Sequence, residues 1–153
     1  MNKWLGCVSA LLLAGGCGTM QIDEFAGNTP RFVLEDYFTG TTRATGLFED
    51  RFGRVQRQFV VDIDGVWDGR KLTLTEDFVY DDGETEQRIW IIEKTAEDRY
   101  TGTTAHAIGA AEGQTDGNAL HWKYDFNLTV GDDTWKVHFD DWMFLQPNGT
   151  LLN

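Results

Sequence analysis

Residues 72–92 alternate apolar and polar side chains so regularly that they set the reading of the rest of the chain. Leu72, Leu74, Phe78 and Tyr80 share one face, and Thr73, Thr75, Asp77 and Val79 the other, the period of two that marks a half-buried strand. Asp81-Asp82-Gly83 ends the run, and two turns fit it. A three-residue loop with Gly in its left-handed third position pairs Tyr80 with Glu84, Glu76 with Arg88, Leu74 with Trp90 and Leu72 with Ile92. An acid and a base then meet on the apolar face. A two-residue Asp82-Gly83 turn shifts the register by one and sets Asp77 beside Arg88.

The same period recurs on both sides. Residues 44–50 lead into Arg51-Phe52-Gly53, a second three-residue loop closing on Gly, and residues 55–63 alternate Val55, Arg57, Phe59, Val61 and Ile63. Leu120, Trp122, Tyr124, Phe126 and Leu128 alternate with His121, Lys123, Asp125 and Asn127; Trp135, Val137, Phe139, Asp141 and Met143 answer them. Matching these two faces across a four-residue loop pairs Phe126 with Phe139 and Tyr124 with Asp141. Residues 100–113 read as one strand, half of it Gly or Ala. That makes seven strands joined by hairpin-length turns, with no long helix. The predicted fold is all-β, an antiparallel up-and-down barrel or curved meander; a two-sheet sandwich needs longer crossovers. Residues 32–38, FVLEDYF, fit a short helix or a strand, and a helical turn plugging one end of the barrel is preferred. An eighth strand begins at Thr150-Leu151-Leu152, which implies either a truncated chain or a barrel left open at that edge.

Composition changes the picture in two ways. With 153 residues, 41% of them hydrophobic, the chain suits one domain with a real core. Its net charge of −12 disfavours nucleic acid and anionic headgroups as partners, both being polyanions. At the N-terminus, Lys3, an apolar run and Ala14-Gly15-Gly16-Cys17 read as a lipoprotein signal over residues 1–16, with Cys17 as the lipidated mature N-terminus. Residues 17–31 are then a tether and residues 32–153 the β domain. No apolar run reaches the ~20 residues of a membrane span, so attachment to the membrane is by lipid, at the bacterial outer membrane facing the periplasm. Cys7 leaves with the signal, so the mature domain holds no disulfide.

Phe38-Thr39-Gly40, the run from Gly46 to Gly53 with its Asp50-Arg51-Phe52-Gly53, Glu76-Asp77-Phe78 with Tyr80 and Asp82-Gly83, Arg88 with Trp90, and Asp140-Asp141-Trp142-Met143 together resemble an uncharacterised bacterial lipoprotein family called domain of unknown function 3833. The resemblance runs from the lipid Cys onward. It implies lipidation, a compact β domain and members that extend past residue 153, and it brings no activity or catalytic residues. A looser likeness to the lipocalin-like (calycin) barrels rests on the Phe38-x-Gly40 entry, with Thr42 where that signature has Trp.

The strand faces put Glu49, Arg57, Glu76, Arg88 and Asp141 inside. Buried charge must be paired or hydrogen-bonded, so these residues either neutralise one another in an ion-pair network or line a wet interior holding something polar. In the second case Arg57 or Arg88 clamps a carboxylate or phosphate while Phe59, Phe78, Trp90, Trp122 and Tyr124 hold an apolar tail. The small residues of 100–113 signal either space or close packing against the plug. If space, the lining set is Thr103, Ala105, Ala107, Gly109 and Ala111 rather than Gly102, Thr104, His106, Ile108 and Ala110. Adjacent carboxylates such as Asp140-Asp141 point to opposite faces and form no dyad. Glu76 and Asp141 converging across the lumen is the one enzymatic arrangement on offer. His106, His121 and His138 lack metal-ligand spacing. The expectation is therefore a non-enzymatic protein without cofactor or metal, binding a small apolar or amphipathic ligand. The alternative is a scaffold with a filled core, recognising a protein or glycan through exposed Trp67 and Trp142.

Overall fold

The computed structural model describes residues 19–49, 52–130 and 133–153. The signal and Cys17 lie outside the described residues, as do Asp50 and Arg51 of the first expected loop. Nine antiparallel strands follow one another in a single sheet among the described residues: β1 Gly40–Glu49, β2 Val55–Trp67, β3 Lys71–Tyr80, β4 Thr85–Ala96, β5 Arg99–Thr103, β6 Ala107–Asp116, β7 Ala119–Val130, β8 Asp133–Leu145 and β9 Leu151–Leu152. The sheet order equals the chain order, so the sheet is an up-and-down meander, curled into a half-barrel. β1 and β9 are its two edges and do not pair with each other.

The central hairpin takes the three-residue turn. Tyr80 N–H donates to the Glu84 carbonyl at 2.9 Å, and Gly83 sits at φ +86°, where a Cβ would be strained. Glu76 faces Arg88 and Leu74 faces Trp90, the register of the three-residue loop. The apolar faces of β2, β3, β4, β6 and β7 meet on the concave side, where Val61, Leu72, Leu74, Phe78, Trp90, Ile92, Ala111, Leu120, Trp122 and Phe126 are buried.

One end of the half-barrel is closed. The plug is a single helical turn, α1 Leu34–Phe38, whose Leu34 and Phe38 are buried with Phe32 beside them. Gly65 of β2 lets it seat there: a β-carbon at that position would lie 1.7 Å from the Phe38 carbonyl oxygen. Phe32 N–H ties the segment to the β6–β7 turn through the Gly117 carbonyl at 2.8 Å. The β2–β3 and β4–β5 turns lie at this same end because antiparallel neighbours alternate direction.

Four expectations need correction. Residues 100–113 are two strands, not one: Gly102 pairs with Ala111 and Tyr100 with Gly113, around a turn in which Ala107 N–H donates to the Thr104 carbonyl. That turn carries none of the Gly, Pro or Asn that mark turns, which is why alternation alone runs through it. β7 and β8 pair two residues out of the expected register, with Tyr124 opposite Phe139 and Asp141 opposite Trp122; Val130 pairs with Asp133, so the connection is shorter than the assumed four residues. The tether is structured from Ile22: a 3-10 turn, Ile22–Phe25, sets Phe25 against Trp142 and Phe144 on the convex side of β8. Glu49 follows a register shift at the end of β1 and is exposed, while Phe48 turns inward onto Phe59.

Candidate functional site

The concave face borders a half-open cavity of about 830 Å³. Its walls come from the plug (Leu34, Tyr37, Phe38), from β1 (Thr42, Ala44, Gly46, Phe48) and from the central strands. The far wall is β7, β8 and β9, with Tyr124, Phe126, Phe139, Asp141, Met143 and Leu151. The unpaired edges of β1 and β9 both contribute, so the cavity reaches the gap between them.

Aromatic rings dominate the walls. Tyr124 stacks on Phe139 at 4.8 Å between centroids and stands edge-on to Trp90 at 5.2 Å; Trp90 in turn meets Trp122 at 5.8 Å. Phe59 contacts Phe48, Phe78 and Tyr80. These offset and edge-on arrangements fix the rings and leave faces turned to the cavity.

Glu76, Arg88 and Asp141 break the apolar wall, and their environments differ. Arg88 is bound to Glu86 at 3.0 Å, and its guanidinium carbon lies 4.9 Å from the centres of both Phe78 and Phe126. Glu86 also accepts a hydrogen bond from the Tyr80 hydroxyl at 2.7 Å. Burial pushes the Glu86 carboxyl up, but the bonds from Tyr80 and Arg88 outweigh it and hold the group below its ordinary value. Glu76 faces Arg88 across the ladder yet makes no hydrogen bond or ion pair among the described residues; burial, opposed only by the field of Arg88, raises it to about 7. Asp141 is likewise unpartnered, and burial together with the neighbouring Asp140 charge raises it to about 6. The Tyr124 hydroxyl lies within the field of both acids, and burial, then Asp141, push it up.

Of the residues singled out by sequence, Phe59, Glu76, Phe78, Arg88, Trp90, Trp122, Tyr124 and Asp141 stand on this wall. Arg57 does not. It sits at the tip of the central hairpin, 3.5 Å over the Tyr80 ring, bound to Asp82 at 2.9 Å and Glu84 at 2.6 Å, and that pairing raises its pKa. Ala105 lies exposed in the β5–β6 turn and Ala107 packs against the core beside it, so neither lines the cavity. The small residues here serve packing: a β-carbon at Gly102 or Gly113 would lie 2.7 or 2.4 Å from the Trp122 ring. Trp67 and Trp142 are not the exposed anchors of the scaffold reading. Trp67 packs against the core, and Trp142 lies between Phe25 and the His121 ring, stacked on the latter at 3.9 Å.

Sequence reasoning missed Phe139 and Met143, although the alternation of β8 puts both on the face of Asp141. It also missed the β1 wall, where Gly46 yields to Phe59: a β-carbon there would lie 2.4 Å from that ring.

The site is thus an up-and-down half-barrel around an aromatic cavity whose walls carry a few polar groups. By sequence the chain belongs to the family described as "Protein of unknown function (DUF3833)", which matches residues 11–153. No curated protein and no solved structure matches it, and the likeness to lipocalin-like barrels is not shown.

Proposed function

We propose that the half-barrel holds a small apolar or amphipathic molecule and acts as a carrier rather than a catalyst. One observation supports this most: a cavity of about 830 Å³, within the roughly 300–1,000 Å³ of ligand sites, walled by aromatic rings and left unfilled by the protein's own side chains. A filled core, which the scaffold reading requires, has no such volume. The carrier is lipid-anchored through Cys17 at the bacterial outer membrane, a reading supported by the small-residue approach Ala14-Gly15-Gly16 alone; Cys17→Ser should release a mature-length protein from membranes or leave the signal uncleaved, and a processed variant still in the membrane fraction would refute it.

The carrier reading is tested by titrating the purified domain with the uncharged fluorophore N-phenyl-1-naphthylamine. Saturable binding that is lost in Trp122→Ala and Tyr124→Ala proteins that still fold is expected. No saturable binding, together with no small molecule co-purifying in native mass spectrometry, would overturn it.

A further inference from the structure

On the β3–β4 wall of the cavity a donor and an acceptor stand side by side without joining. The donor is Arg88. Its charge is balanced by Glu86, yet most of its N–H groups are unused. Nη2 donates to Glu86 at 3.0 Å, Nε is buried with no partner, and the guanidinium makes no other hydrogen bond among the described residues. The Phe78 and Phe126 rings, each centred 4.9 Å from its carbon, hold it on the cavity wall. The acceptor is Glu76, directly opposite Arg88 in the ladder and on the same wall. Opposed side chains of a ladder leave the sheet with their β-carbons about 5 Å apart, and Glu76 lies within the field of Arg88. No hydrogen bond or ion pair joins the two, because Arg88 is turned to Glu86, two residues along its own strand.

The charges around this pair decide what joins it. An anionic head would be drawn only to a guanidinium already neutralised by Glu86, and it would meet the carboxylates of Glu76 and, on the facing wall, Asp141. A cationic head seated at Glu76 would lie beside the Arg88 guanidinium, which keeps its proton at every working pH. An uncharged group that both accepts and donates meets neither obstacle. Its carbonyl oxygen takes an unused Arg88 N–H, and its own N–H goes to Glu76, each bond being strengthened by the charge of the protein partner.

We propose that the cavity selects an uncharged amphipathic molecule whose head, a carboxamide or a group of like hydrogen-bonding pattern, bridges Arg88 and Glu76 while its apolar chain lies along Phe59, Trp90, Tyr124 and Phe139. This rests on the carrier reading and specifies its ligand. Arg88 and Glu76 then set which head is accepted, and the rings set only that a chain follows it.

The experiment is displacement of N-phenyl-1-naphthylamine from the purified protein by four probes with one tail length: decanamide, N,N-dimethyldecanamide, decanoate and decylammonium. All are used below their solubility and micelle limits, at about pH 8 and physiological salt. Decanamide should displace the fluorophore at a concentration at least about tenfold below each of the others, the size of one hydrogen bond to a charged group. Glu76→Met should bring decanamide level with its dimethyl analogue, which keeps the carbonyl and lacks the N–H. Arg88→Met should weaken both amides about tenfold or more. Decanoate or decylammonium binding as well as decanamide overturns the inference and leaves the carrier standing. Equal binding of the two amides to the unaltered protein does the same, and needs no variant to fold. A preference for decanamide that survives Glu76→Met in a folded protein is steric and also overturns it. If the fluorophore itself does not bind, the carrier reading falls, and the inference with it.

Discussion

Carboxylates go under apolar surface at two places in this protein, with opposite outcomes. At the closed end Glu35 of α1 is bound by the Lys94 ammonium at 2.5 Å and the Tyr100 hydroxyl at 2.9 Å. Burial pushes Glu35 up, yet these bonds, with one from its own backbone, overcome it and hold the carboxyl low. On the cavity wall Glu76 is partly buried and meets no donor among the described residues, and burial raises it to about 7. The protein is able to satisfy a buried acid and does so where the acid fastens the plug. Where it does not, the unsatisfied group faces empty volume. The difference separates a charge used for folding from one the fold leaves without a partner.

The largest effects test the closed end. Phe32 is fully buried under the plug, so Phe32→Ala should cost about 3–5 kcal/mol in urea unfolding; a loss under about 1 kcal/mol would show that this end is no better packed than the cavity. Next, Lys94→Met leaves Glu35 charged and without its cation. With Lys94 partly solvated, the cost should be about 2–4 kcal/mol at neutral pH, and adding Glu35→Gln should recover part of it. A double variant no more stable than Lys94→Met alone would break the assignment of that pair.

A smaller effect probes the far wall. At Gly113 a methyl group would press on the Trp122 ring, so Gly113→Ala should destabilise by about 1–3 kcal/mol; a neutral result would mean that Trp122 has room to move and that β6 borders free space after all.

The smallest effect has the opposite sign. Between its ordinary 4.5 and about 7, Glu76 binds a proton in the folded chain that the unfolded chain releases. Stability therefore falls as pH rises through that window and stays level above it. Glu76→Gln should stabilise the ligand-free protein by about 1–2 kcal/mol at pH 8 and by almost nothing at pH 4. Glu35 acts in reverse, its contribution being present above its unfolded value and lost as pH falls through its folded one. Thermal melts of the two Gln variants across pH should thus diverge; parallel curves would erase the distinction between the two sites.

Much of this was legible in the chain because alternation is a strong local signal. The strands and the meander order follow from it, whereas it left two registers open for the central hairpin and the preferred helical turn at residues 32–38 was one of two readings. It failed where the deciding contact lies elsewhere in sequence. The Gly and Ala of residues 100–113 look like space until Trp122, on β7, is seen to fill it. Arg57 and Arg88 look like anion clamps until Asp82, Glu84 and Glu86 are placed upon them. Trp142 looks exposed until Phe25, far back in the supposed tether, covers it. Strand faces predict which side chains share a wall, and they do not predict which charges are already spent there.

The most direct measurement is the NMR titration of the side-chain carboxyl carbons of Glu76 and Glu35. The account predicts a Glu76 midpoint near 7, while Glu35 stays below its ordinary value. A Glu76 that titrates near 4.5, together with Glu35, would contradict it.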